Sequence, residues 1–246
     1  MQHKTQRLTE SAMLLAVAIV LELASKMFIP EMPFGGQVTL ASMLPVVLIS
    51  YRHGVKWGLV AGVAYAFIQM AIGARTVAAA FQPGYFGDGR MLLNAFIQMA
   101  IGARTVAAAF QPGYFGEGRM LLNAFIMCVL DYLLAFTLLG LGGCFRNTIK
   151  RPGIGLACGS LVALAARYLA HVLSGYILFA GWAEWFFTQD GFPSWGIALV
   201  EKLSPGVLGF TYSLVYNAMY MVPEMIITAM AAMLLGRVHQ IVTKVS

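Results

Sequence analysis

The chain has 246 residues, 60% of them hydrophobic and 11% charged, with a mean hydropathy of +0.78. That balance excludes an ordinary water-soluble domain and indicates one helical membrane domain over 1–246. The formal net charge of +6 does not mark a nucleic-acid partner, because the basic residues lie singly between apolar runs; membrane orientation accounts for them.

The first apolar run follows Lys4 and Arg7 as a signal peptide would. Glu22 and Lys26 stand where a small-residue cleavage site is needed, so the run reads as a retained helix over Ala12–Ile29. Ala12 and Ala16, four apart, give it a face small enough for another helix to approach closely, or simply for internal packing. Glu22 and Lys26 have the favourable i,i+4 order for a pair near the membrane edge. The loop PEMPFGGQ leads to a second helix over Val38–Tyr51, with a kink expected at Pro45. A basic turn with Arg52, His53 and Lys56 follows. The third helix, Trp57–Ala74, carries Gly58 and Gly62 in small-xxx-small spacing.

Residues 66–94 then recur at once as residues 95–123, with Asp88 replaced by Glu117. Solenoid repeats diverge around a shared core pattern, whereas this near-identical tandem copy reads as a recent duplication or an assembly artefact. Its apolar piece, Met91–Ala103, lies between Arg90 and Arg104 and as a helix would span only about 20 Å. It is too short to cross, so the second copy is not expected to add a span.

Met120–Gly143 is the fourth helix, with Asp131 near its midpoint and Tyr132 directly after. A carboxylate at that depth costs on the order of 2.5–3.5 kcal/mol unless it faces a cation or a polar cavity. After the basic turn Arg146, Lys150 and Arg151 comes a fifth helix, Ile154–Gly181, with Arg167, Tyr168, His171 and Ser174. The segment Trp182–Ser204 is aromatic and mildly acidic and reads as a lid or as an interfacial belt. The sixth helix, Gly206–Gly236, carries Tyr212, Tyr216, Asn217, Tyr220 and Glu224. The cysteines Cys128, Cys144 and Cys158 lack C-x-x-C spacing and read as packed thiols, leaving no metal site. With six spans, the basic turns near Lys4, Arg52, Arg146 and Arg237–Lys244 share one side, which positive-inside makes cytoplasmic, as both termini would be. Arg75, Arg90, Arg104 and Arg119 break the rule, but all lie in the duplicated region.

At 1.5 Å per residue, Asp131, His171 and Asn217 each fall about 15–17 Å below the outer surface, with Tyr212 at about 9 Å. One carboxylate, one imidazole, one amide and several aromatics suit a small flat organic cation: charge balance, stacking and cation–π attraction, and directional hydrogen bonds. The alternative is structural pairing of Asp131 with His171 or Arg167. Arg167 and Glu224 fall deeper and could pair with each other or mark an ion path. No phosphate-binding loop or H-E-x-x-H is present, so an enzyme is not expected, nor any cofactor; any ATP hydrolysis belongs to another chain.

Over nearly its whole length the chain resembles the thiamine-specific substrate-binding (S) component of bacterial energy-coupling factor (ECF) transporters. The resemblance rests on LTESAMLLA, GGQVTLASMLP, LDYLLAF, RYLAHVLSG and YSLVYN. It implies vitamin-site roles for Asp131, Tyr132, His171, Tyr212 and Asn217. Phe179 stands where family members can carry Trp, with Trp182 as a substitute. Thr39 occupies a position that can be acidic, and Leu121 replaces a family tyrosine for which Tyr114 is a candidate replacement. The implied partners are thiamine, a membrane-embedded coupling protein docking on Ala12 and Ala16, and two cytoplasmic ATPases, in the bacterial plasma membrane. The rival readings are a stand-alone secondary transporter for an organic cation, with Glu224 or Asp131 carrying protons, and an S component for a thiamine precursor. An intramembrane enzyme using Asp131 and His171 as acid and base lacks a nucleophile.

Overall fold

The computed structural model describes residues 2–30, 32, 36–72 and 126–242; most of the tandem duplication, Tyr114 included, lies outside them. Every regular element among the described residues is helical. The elements are α1 (Gln2–Phe28), α2 (Leu44–His53), α3 (Val55–Ile72), α4 (Cys128–Gly143), α5 (Pro152–Phe179), α6 (Ala183–Thr188), α7 (Trp195–Lys202), α8 (Pro205–Leu235) and α9 (His239–Val242). Four stretches are long and apolar enough to cross a bilayer: Lys4–Phe28, Val55–Ile72, Pro152–Thr188 and Pro205–Leu235.

The second helix departs from expectation. It begins at Leu44, so Pro45 sits in its first turn and kinks nothing; a proline there gives up an N–H that would have no helical partner anyway. Residues 36–43 are non-helical instead. They are tied to the end of α1 by Leu40 N–H on Ser25 Oγ (2.8 Å) and by the Gln37 amide on the Ser25 and Ile29 carbonyls. The Trp182–Ser204 segment is more regular than a loop, since it folds into α6 and α7.

Small residues set the packing. A side chain at Gly159 of α5 would collide with the Gly142 carbonyl of α4, and one at Gly62 of α3 with the Phe136 carbonyl. Gly62 of α3 and Gly159 of α5 are thus contact points between backbones, as close packing of membrane helices requires. Helices α5 and α8 run antiparallel: Gly175 meets Ser213 and Asn217, while Gly153 meets Gly236. Two cross-helix bonds fix their register, Ser213 Oγ–H to Val172 O (2.7 Å) and Tyr168 Oη–H to Leu214 O (3.0 Å).

The basic turns meet at one end of the bundle. Arg52 donates to Glu10 Oε2 (2.9 Å) and to the Gln240 and Ile241 carbonyls (3.0 and 2.6 Å), and Arg146 donates to the Arg52 carbonyl (3.0 Å). Lys244 lies outside the described residues. Along α1 the opposite situation holds. Ala12 and Ala16 are exposed, as are Met13, Val17, Val20 and Leu23 on neighbouring faces.

Candidate functional site

Helix α4 is built to present one carboxylate. Its first seven residues, Cys128–Leu134, form a π-helix, followed by a single α-turn and a 3-10 segment. A π-turn widens the helix and is a recurrent feature of functional sites. Asp131 lies in that turn, its side chain 21% exposed to a cavity of about 140 Å3 enclosed by α1, residues 36–43, α3, α4, α5 and α8.

Its partners come from α5. His171 Nδ1 is 2.8 Å from Asp131 Oδ1, and Ser174 Oγ–H donates to Oδ2 at 2.6 Å. One turn away, Arg167 Nε–H donates to His171 Nε2 at 3.2 Å. A guanidinium has only donors, so Nε2 must be the acceptor and the ring proton resides on Nδ1, pointing at Asp131. His171 is therefore neutral, and Asp131 has further lone pairs on both oxygens for a ligand. Arg167, itself buried, lies over the Phe136 ring (4.4 Å to the centroid) and also contacts Met43 Sδ.

Asn217 joins the same group from α8. Its Nδ2 donates to Ser213 O (2.8 Å) and to the His171 carbonyl (3.3 Å), while its Oδ1 accepts from Tyr220 Oη (2.6 Å). Much of its hydrogen-bonding capacity thus holds α5 against α8. Tyr212 and Tyr216 line the cavity one turn apart, and Phe186 of α6 packs edge-on against both, at 5.2 and 5.8 Å. Phe187, Phe192 and Trp195 extend this aromatic layer.

The sequence-derived candidates fare unequally in position. Asp131, Tyr132, His171, Tyr212, Asn217, Phe179 and Thr39 all line the cavity. Trp182 does not; it is 39% exposed and stacked edge-on against Trp185, because a 3-10 turn at Ala180–Trp182 rotates it off the α5 face that carries Phe179. Tyr114 is outside the described residues. Arg167 and Glu224 form no ion pair with each other. Thr39 satisfies Glu224 locally, through its N–H (2.6 Å) and its hydroxyl (2.8 Å), and Arg167 is taken up by His171 and Phe136. Glu22 and Lys26 do pair (3.6 Å), and both line the cavity wall.

Ser174, Tyr216, Tyr220 and Gln69 belong to the site and were not singled out as ligand residues. Two patterns would have found most of them: Ser174 follows His171 by three, and Tyr212, Tyr216 and Tyr220 form an i,i+4,i+8 stripe on one helix face. Gln69 carries no comparable signal.

Two comparisons with known proteins agree. The family described as Thiamine transporter protein (Thia_YuaJ) matches residues 8–85 and 115–188, more than half of the chain. The stretch between them, 86–114, is as long as one unit of the tandem repeat. Thiamine transporter ThiT of Bacillus subtilis (strain 168) is 30% identical over 238 residues, covering 93% of this chain and 89% of the relative. The helices, the cavity and these matches together place the chain in the Thiamine transporter protein (Thia_YuaJ) family.

Proposed function

We propose that the chain is the substrate-binding component of an ECF-type transporter, capturing thiamine from outside for uptake driven by a separate ATPase module. The observation that carries this is Asp131: a carboxylate beside a neutral imidazole, partly open to a cavity walled by Tyr132, Phe179, Tyr212 and Tyr216. Such a cavity is matched to a flat monocation, whose charge Asp131 balances and whose rings the aromatics stack against. Membership of a thiamine transporter family and four clear apolar spans make it a multi-pass protein of the bacterial plasma membrane.

In this reading the chain crosses six times with both termini cytoplasmic, the repeated copy adding no span. Convergence of the basic turns at one end supports that orientation, and the family match passing over one repeat length supports the count. Aromatic helices α6 and α7 act as the lid. The exposed small face of α1, Ala12 and Ala16, receives the coupling protein, which with two ATPases supplies the energy. The chain itself catalyses nothing.

The test is thiamine titration of the purified protein followed by tryptophan fluorescence, with Asp131→Asn and Asn217→Ala alongside. Saturable quenching in the parent, lost in Asp131→Asn, is expected; an unresponsive, folded parent protein overturns the reading. Coupling is tested separately. Ala12→Trp and Ala16→Trp are expected to abolish co-purification with an ATPase module, whereas uptake that needs no ATPase and collapses with an uncoupler favours a secondary transporter.

A further inference from the structure

Beside the Asp131 group, the cavity wall contains a second polar chain that connects α1 to α8. Ser42 Oγ is 2.8 Å from Glu22 Oε2, Ser42 Oγ and Thr39 Oγ1 are 2.8 Å apart, and Thr39 Oγ1 is 2.8 and 2.9 Å from the two Glu224 oxygens. Glu224, Ser42 and Thr39 are at most 2% exposed and Glu22 is 8% exposed. Each link between these oxygens needs one hydrogen. The run Glu22–Ser42–Thr39–Glu224 has three links, but its two hydroxyls own one hydrogen each. With both carboxylates ionised, one short oxygen–oxygen contact would set lone pair against lone pair in a buried site.

We propose that Glu22 and Glu224 share one proton through Ser42 and Thr39, and that a monocation entering the cavity displaces it. A proton on Glu22 lets every link donate toward Glu224. A proton on Glu224 lets every link donate the other way. The remaining Glu224 contacts, from Thr39 N–H (2.6 Å) and Thr228 Oγ–H (3.2 Å), are served in both cases.

The charges around the cavity point the same way. The carboxylates are Asp131, Glu22 and Glu224; the cations are Arg167 from α5 and Lys26 from α1; His171 is held neutral. The tyrosines facing the chain, Tyr65 from α3 and Tyr220 from α8, add no charge. Three negative groups against two positive ones leave the empty site neutral only with one extra proton, and a bound monocation restores neutrality only without it. Net charge in a poorly solvated interior is costly, so the exchange is favoured. Tyr65 Oη stands in the same wall, beside Glu22, Ser42 and Gln69.

The displacement half rests on the cation-binding reading above; the shared proton does not. The full chain in lipid nanodiscs is examined first without ligand, by infrared spectroscopy in H2O and D2O. A buried protonated-carboxyl C=O band is expected at neutral pH. It is expected to vanish in Glu22→Gln and equally in Glu224→Gln, since either amide donates the missing hydrogen and lets the other carboxylate ionise. No such band, or one surviving both Gln substitutions, overturns the proposal. Thiamine binding is then measured by calorimetry in buffers of different ionisation enthalpy. Release of one proton per thiamine is expected, with affinity rising about tenfold per pH unit while the site is protonated, and no release from either Gln variant. Heats independent of buffer overturn the displacement. Absence of any thiamine binding overturns the cation reading and the displacement with it, while the infrared band still decides the shared proton.

Discussion

The two ends of the bundle use charge in opposite ways. At the basic end, Arg52 spends its donors on Glu10 and two backbone carbonyls, and Arg146 spends one on the Arg52 carbonyl, so that α1, α2, α9 and the turn after α4 are tied together. In the cavity, Asp131 takes one bond on each oxygen and keeps lone pairs facing open space. The first arrangement is spent on holding segments of the chain; the second holds itself only far enough to stay oriented. Unspent hydrogen-bonding capacity, more than charge itself, separates a binding group from a clamp.

The contrast can be broken at several points. Asp131→Asn is expected to have the largest effect, about 100-fold or more in thiamine affinity, because a ligand cation loses its buried counter-charge; thermal unfolding should shift far less. Arg52→Ala inverts that pattern, costing about 2 kcal/mol of stability through lost charge-assisted bonds and leaving thiamine affinity unchanged, as paired melting and titration curves will show. Phe186→Ala opens the aromatic layer over Tyr212 and Tyr216. Faster thiamine dissociation, by about fivefold, is expected in stopped-flow fluorescence, in line with about 1 kcal/mol for aromatic packing. Ser174→Ala removes one of the two bonds that orient Asp131, with about a three- to tenfold weakening of affinity expected in the same titration. Equal effects of Asp131→Asn and Arg52→Ala on binding would erase the distinction altogether.

Legibility differed from element to element. The long helices α1, α3, α5 and α8 were readable because an apolar run near the length of a bilayer has few other uses. Their bounds moved by only a few residues, apart from α1, which starts at Gln2 where Ala12 was expected. The short α2 was misjudged because Pro45 fits equally well as an interior kink or an opening turn, and choosing between them needs the Ser25 and Gln37 bonds that hold residues 36–43 out of the helix. The π-turn around Asp131 left no mark in composition.

Sequence by itself determined that the chain is a membrane helix bundle, that Asp131 must find a polar surrounding, and that Asp131, His171 and Asn217 stand at one depth. Each follows from spacing along a helix and from the cost of charge in hydrocarbon. Tertiary structure alone decided who pairs with whom. It gave Arg167 to His171 and Phe136, fixing the imidazole as neutral, and it gave Glu224 to Thr39 across the bundle. It also turned Trp182 away from the cavity that Phe179 lines. Depth is a one-dimensional property that the chain carries in its order. Pairing depends on helix rotation and on contacts between residues far apart in sequence, and these exist only once the helices have packed.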